Sequence, residues 1–143
     1  MRRKNESGSR QQLLWTIVNF SSAPVWLAMI IAPRSGVTRW MAERLVPLYM
    51  GLGVVYTGAL AAGAIENPEP PDFSKLESVQ KLLQNPSSML AAWTHYIAFD
   101  LFVGRWIWET SLAEGRPARL SLLLTWWAGP MGLTLYLARR KLA

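Results

Sequence analysis

Four stretches of the chain are long, apolar and almost free of charge, and no other feature limits its fold as tightly. Leu13 to Ala32, Val46 to Ile65 and Leu120 to Leu137 contain no Asp, Glu, Lys or Arg. Met89 to Trp108 is interrupted only by Asp100, Arg105 and the neutral-capable His95. A helix of roughly 20 apolar residues crosses the ~30 Å hydrocarbon core of a bilayer, and each window is about that long. Lipid offers the backbone no hydrogen-bond partners, so such windows must pair their own N–H and C=O groups as helices; barrel strands would alternate in period two. The expected fold is therefore all-α: a four-helix transmembrane bundle forming one domain over residues 1–143, with spans at about 13–32, 46–65, 89–108 and 120–137.

Composition supports this and removes other classes. The chain is 51% hydrophobic with 8 Trp, and 17% charged, where soluble domains carry about 25%. Its net charge of +6 comes from 15 Lys and Arg against 9 Asp and Glu. The basic residues lie between the apolar windows, a topogenic pattern rather than a nucleic-acid footprint. With no Cys and a single His, a disulfide framework, a zinc knuckle and a thiolate nucleophile are excluded, and no metal site is expected. The first window is too long for a signal-peptide core, has no small-residue cleavage site after it and precedes three more, so it counts as a span. No internal repeat supports a duplicated transporter architecture.

Basic residues also set an expected orientation. Arg2, Arg3, Lys4, Arg10, Lys75, Lys81, Arg139, Arg140 and Lys141 would share one side, and Arg34, Arg39, Arg44, Arg116 and Arg119 the other. The positive-inside rule then puts both termini in the cytoplasm. Only the second loop is expected to have structure of its own. Glu66-Asn-Pro-Glu-Pro-Pro71 should be extended, and Ser74 with Glu77 reads as a capping box opening a short amphipathic helix at about 74–85. Leu76, Val79, Leu82 and Leu83 form its apolar side and Asn85-Pro86 its end. Lys75 and Lys81 can reach lipid phosphates, which places the helix in the interface plane; a helix capping the bundle's own core fits the same pattern.

The third window carries the candidate site. Asp or Arg at the centre of a span costs about 2.5–3.5 kcal/mol, so these groups need partners inside the bundle. His95, Asp100 and Arg105 are successively about 140° apart around a helix and cannot pair at i,i+4. Arg105 can snorkel to the outer interface. For Asp100 the candidate partners are Arg105, Tyr49, Tyr56, Thr57, Thr125 and Thr134. Asn19, Asp100 and Arg105 are read as intramembrane polar residues that fix helix register. Alternatively, Asp100 and His95 are the catalytic candidates for a proton transfer. Phe99, Phe102 and Trp106 follow His95 at i+4, i+7 and i+11, one stripe that suits a polyene, or a tetrapyrrole whose metal takes the imidazole. A carotenoid, or a (bacterio)chlorophyll on His95, is the cofactor this suggests; packing with Asn19 as the partner of His95 is the competing reading. Pro24 and Pro130 should kink the first and fourth spans by leaving the carbonyls of Phe20 and Trp126 without donors. Gly51, Gly58 and Ala62 form a small-residue ridge for a close-packed neighbour.

Several segments together are similar to a known family: Pro24-Val-Trp-Leu, Tyr56, Phe73-Ser-Lys-Leu-Glu-Ser-Val-Gln-Lys-Leu-Leu-Gln-Asn-Pro86, Ala92-Trp-Thr-His-Tyr-Ile-Ala-Phe-Asp-Leu-Phe-Val-Gly-Arg-Trp106 and Gly129-Pro-Met-Gly132. The chain resembles the abscisic-acid-deficient-4-like membrane proteins of plastids and bacteria, associated in plants with forming neoxanthin from violaxanthin. The resemblance implies a four-helix membrane protein with signature residues His95, Asp100, Gly104 and Arg105, and a role in binding or converting a carotenoid or xanthophyll. The alternative is a non-catalytic structural or pigment-binding subunit of a photosynthetic membrane complex. The twelve residues before the first window are too few for a plastid transit peptide and include Glu6. A bacterial inner or photosynthetic membrane is thus the expected location, with the bilayer and photosynthetic subunits as partners and no nucleic acid.

Overall fold

The computed structural model describes residues 2–142, with side chains from residue 8 onward. Among the described residues there are helices and no strand, as the apolar windows require. In chain order these are α1 (Arg2–Ser21), α2 (Ala23–Ile31), α3 (Gly36–Glu43), α4 (Val46–Glu66), α5 (Leu76–Leu83), α6 (Pro86–Ala113), α7 (Arg119–Ala128) and α8 (Pro130–Lys141). Two segments are long and apolar enough to cross a membrane: Gly8–Ile31, which joins α1 to α2, and Val46–Glu66. At 28 residues and about 1.5 Å per residue, α6 reaches about 42 Å, but it carries Asp100 and Arg105 inside that length.

Pro24 interrupts the first window as expected. The break falls at Ser22, whose carbonyl accepts from the N–H groups of both Val25 and Trp26 at 3.1 Å, while Ser21 Oγ donates to the Val18 carbonyl at 2.8 Å. Beyond the break, Trp26 lies buried directly on Gly104 of α6, where a Cβ would collide with the indole. α1 and α2 run parallel to α6, with Trp15 stacked on Trp93 at one height and Trp108 Nε1 donating to the Pro33 carbonyl at another, 2.9 Å away. α4 runs antiparallel to α6: Gly63 lies beside Ser88, and Tyr49 lies beside Phe102. The face of α4 that packs is Leu52, Ala59 and Gly63. The Gly51–Gly58 ridge is therefore corrected, since a Cβ at either glycine would meet nothing within 4 Å. One residue is about 100° of helix, and glycine spacing does not say which of two adjacent faces meets the neighbour.

Both loops between the long helices differ from expectation. The first is not bare: Ser35 caps α3, its Oγ accepting from the Thr38 N–H at 3.1 Å. In the second, α5 begins at Leu76 without a side-chain cap, so the Ser74 capping box does not form. Ser74 instead donates its N–H at 3.0 Å and its Oγ at 2.6 Å to Asp72 Oδ1. A nearby carboxylate is the stronger acceptor, and it closes a turn before the helix starts. These bonds, with Lys75 at 3.2 Å, hold the Asp72 carboxyl below the usual carboxylate range. No residue of α5 is buried, and Leu76 is 73% exposed.

The fourth window is the main correction. It does not cross as one helix but forms α7 and α8, which fold back on each other at Gly129. That residue has φ +46 and ψ −100, a backbone conformation open to glycine, and Pro130 then starts α8. Gly132 packs on the backbone of Thr125 and the carbonyl of Ser121, where a Cβ would collide with both; a straight helix would hold residues 121 and 132 about 16 Å apart. At its far end α8 returns to the end of α6, with Arg140 Nε 2.6 Å from Glu114 Oε1 and Tyr136 Oη 3.3 Å from Glu114 Oε2. At 10 and 12 residues, the two arms are only about 15 and 18 Å long. Gln11 of α1 and Arg140 of α8 thus lie at opposite ends of α6. At one end Gln11, midway along α1, donates to Ser87 at 3.1 Å, and Ser87 and Asn85 donate to Glu66 at 3.1 and 2.7 Å. At the other end Arg34 donates to the Gly115 carbonyl at 2.9 Å, beside the Arg140–Glu114 pair.

Gly104→Ala should lower the thermal midpoint of the purified protein, because overpacking a filled core costs about 1–3 kcal/mol. Gly51→Ala should leave it unchanged or slightly raised, since Ala is favoured over Gly in a helix by about 0.5–1 kcal/mol. Thermal denaturation of the two variants side by side checks this; equal behaviour would mean that the Trp26–Gly104 contact does not limit packing.

Candidate functional site

α6 presents different chemistry on different faces because its polar residues do not repeat at helical spacing. On the face toward α4, residues 95, 99 and 102 stack one above another at i, i+4 and i+7. His95 stacks on Phe99 with ring centroids 4.4 Å apart. Tyr56 lies 6.0 Å from His95, and Tyr49 meets Phe102 edge-on at 6.5 Å. Together with Leu52, Gly53, Thr94 and Ala98 these residues wall a groove of about 410 Å³ whose lining is almost wholly apolar. His95 makes no hydrogen bond among the described residues. The Tyr49 hydroxyl is buried without a partner there.

The structure brings three of the four stripe residues together. Trp106, the fourth, packs edge-on against Tyr136 of α8 at 5.5 Å and does not line the groove. Eleven residues along the helix, it has already passed the open part of the α4 face. The two tyrosines of the groove wall were expected beside Asp100, and they face His95 and Phe102 instead. Asn19 is not the partner of His95: its Oδ1 accepts from Trp93 Nε1 at 3.2 Å.

Asp100 lies on the opposite side of α6, in a cavity of about 420 Å³ under the turn between α7 and α8. Its walls are Asn19, Ser22 and Trp26 from α1 and α2, Trp93, Tyr96 and Ile97 from α6, and residues 126–130 at the turn. The carboxylate is half-buried and has no hydrogen bond or ion pair among the described residues. A Cβ on Gly129 would come within 2.9 Å of Asp100 Oδ1, so the carboxylate sits where α8 begins, the end of a helix that favours negative charge. None of its expected partners reaches it. Thr57 and Thr125 bond backbone carbonyls of their own helices at 2.9 and 2.8 Å, and Arg105 bonds Glu109 at 2.8 Å. Residues 105 and 109 lie one turn apart on the same side of α6, whereas 100 and 105 do not.

His95 and Asp100 therefore line separate spaces, and no single ligand in either space touches both. A proton transfer that uses one as donor and the other as acceptor does not fit this geometry. Sequence reasoning missed Trp126 and Trp127 as cavity walls. Gly129-Pro130 is the available signal, although a kink in a continuous span has the same local signature. Among the described residues no three His, Asp or Glu side chains cluster as metal ligands would.

Residues 13–136 match the family described as ABA DEFICIENT 4-like. The chain is also similar to the Arabidopsis thaliana chloroplastic protein ABA DEFICIENT 4, with 27% identity over 116 residues, which is 77% of this chain and 52% of the relative. The chain thus spans about half the length of that curated relative. No solved structure matches.

If Asp100 and Arg105 act independently, a double-mutant cycle of Asp100→Asn and Arg105→Gln should be additive to within about 0.5 kcal/mol. Arg105→Gln with Glu109→Gln should instead show the weak coupling of an exposed helical pair, about 0.3–0.5 kcal/mol. Denaturant unfolding of the two sets measures both couplings; strong coupling in the first set would restore the buried pair.

Proposed function

The chain belongs to the ABA DEFICIENT 4-like family, and from that premise we propose that it is a single-domain integral membrane protein that binds a carotenoid or xanthophyll in the groove between α4 and α6. The observation that carries this reading is the groove: an apolar trough of about 410 Å³ walled by Tyr49, Tyr56, His95, Phe99 and Phe102. Its size falls within the ~300–1,000 Å³ of small-molecule sites. Flat aromatic walls suit a conjugated chain, and one imidazole among them supplies a polar handle. If the ligand is converted, opening an epoxide to an allene needs a proton donor and a proton acceptor. Within the groove His95 and the hydroxyl of Tyr56 are the groups for that work, and Asp100 is on the wrong side of α6. The second reading, a pigment-carrying subunit of a photosynthetic complex, is favoured by one observation: the exposed His95 ring has no hydrogen bond among the described residues, which leaves a nitrogen free for the metal of a tetrapyrrole.

In the membrane, the reading is of three crossings, by α1–α2, α4 and α6, with α7 and α8 entering from one side and returning, and α5 lying in the interface. Non-helical backbone at Gly129 is tolerable there because it is covered by protein. The returning α8 moves Arg139, Arg140 and Lys141 to the end that holds Arg34, Arg39, Arg44, Arg116 and Arg119. That end now outweighs Arg2, Arg3, Lys4, Arg10, Lys75 and Lys81, so the positive-inside rule puts the C-terminus in the cytoplasm and the N-terminus outside.

Pigment extracted from protein purified in mild detergent should show a carotenoid spectrum that is lost in Phe99→Ala and weakened in His95→Ala. A chlorin spectrum lost in His95→Ala would favour the second reading, and colourless protein that takes up neither pigment would sink both. For sidedness, the chain's lack of Cys makes Ser9→Cys and Leu142→Cys clean reporters. An impermeant maleimide should label Ser9→Cys on intact cells and leave Leu142→Cys unlabelled until lysis. Equal labelling of the two would mean that the fourth window crosses fully.

A further inference from the structure

The cavity under the α7–α8 turn is not used by the reading above. Because the two arms of the hairpin are about half the length of a span, the hairpin does not cover the side of α6 that lies below the turn. Left open there are Tyr96 and Trp127, at 60% and 81% exposure, together with the carboxylate of Asp100. A carboxylate at that depth with no hydrogen bond among the described residues is costly, and the open side of the cavity leaves room for a hydrogen-bond donor from outside the chain. Trp93, Tyr96, Trp126 and Trp127 give the cavity aromatic walls, and Asn19 lines it with its carbonyl oxygen already taken by Trp93 and its amide N–H groups unengaged among the described residues.

From these residues we propose that the cavity is a second ligand site, which takes an apolar ring bearing a hydroxyl group. The ring lies among the indoles, its hydroxyl donates to Asp100, and its oxygen accepts from the amide of Asn19. A cationic ligand would meet the same carboxylate, but carrying a cation through lipid to this depth is costly, while a neutral alcohol reaches it freely. The volume of about 420 Å³ holds one substituted ring with part of a chain. The proposal rests on the carotenoid reading: a second polyene molecule, separate from the one in the groove beside His95, places its hydroxylated end ring here on Asp100.

The test uses the purified full chain in detergent and two polyenes that differ only in their ring hydroxyls, zeaxanthin and β-carotene, titrated by quenching of tryptophan fluorescence. Zeaxanthin should bind about tenfold more tightly or better, the worth of a hydrogen bond to a charged group. Asp100→Leu should abolish that preference and leave β-carotene binding within about threefold of the original. Trp127→Leu removes an exposed wall and should weaken zeaxanthin by about 3- to 10-fold with helicity unchanged; it decides the matter if Asp100→Leu does not fold. Equal affinity for the two carotenoids, a preference that survives in folded Asp100→Leu, or an unaltered affinity in Trp127→Leu would overturn this site alone. Binding of neither carotenoid would overturn both this site and the reading on which it rests.

Discussion

Trp26 lies on the bare backbone of Gly104, and the way the rest of the chain assembles depends on that contact. The indole is 1% exposed, and its ring stacks on Trp126 at 6.2 Å. One side chain thus sets the spacing of α2, α6 and α7 together. Met29, Leu101, Ile107, Leu122 and Tyr136 close the same core around it. Three residues after Trp126, the turn at Gly129 lies beside Asp100. A larger residue at 104 would push α2 outward and take the hairpin with it.

The hairpin explains two features that otherwise look unrelated. It accounts for the cavity, since arms of half the necessary length leave one side of the remaining half of α6 without the hairpin's cover. It also accounts for the crowding of basic residues at one end, because the C-terminal segment returns to where it started. Meanwhile the groove on the α4 side owes nothing to the hairpin: it is built by two full-length antiparallel helices whose aromatic residues meet at matching heights. The two spaces are therefore structurally independent, although a single helix forms a wall of each.

Much of this was legible in the sequence and some was not. The apolar windows fix the all-helical class because lipid leaves the backbone no other choice. The stripe of His95, Phe99 and Phe102 follows from the helical repeat alone and survives in the structure as a groove wall. What the repeat cannot supply is the partner. Tyr49 and Tyr56 were visible as polar residues of the second window, but only the rotation of α4 about its axis decides that they face His95 and not Asp100. The same ambiguity misled the reading of Gly51 and Gly58. At Gly129-Pro130 a kink and a reversal have the same local signature, a missing donor next to a residue free to adopt positive φ, and they differ only through the tertiary contacts of Gly132 and Tyr136. Ser74 shows competition on a smaller scale, since a capping hydroxyl two residues from Asp72 is captured by the carboxylate first.

Gly129 also has a bearing on the order of events during synthesis. Neither arm of the hairpin is long enough to be retained in a membrane by itself, and neither can bury its small-residue contacts until Trp26 and α6 are in position. Because both arms follow α6 in the chain, they emerge when that docking surface already exists. Docking of the hairpin is then a later step than the assembly of α1, α2 and α6, and an interruption upstream would strand it with nowhere to settle.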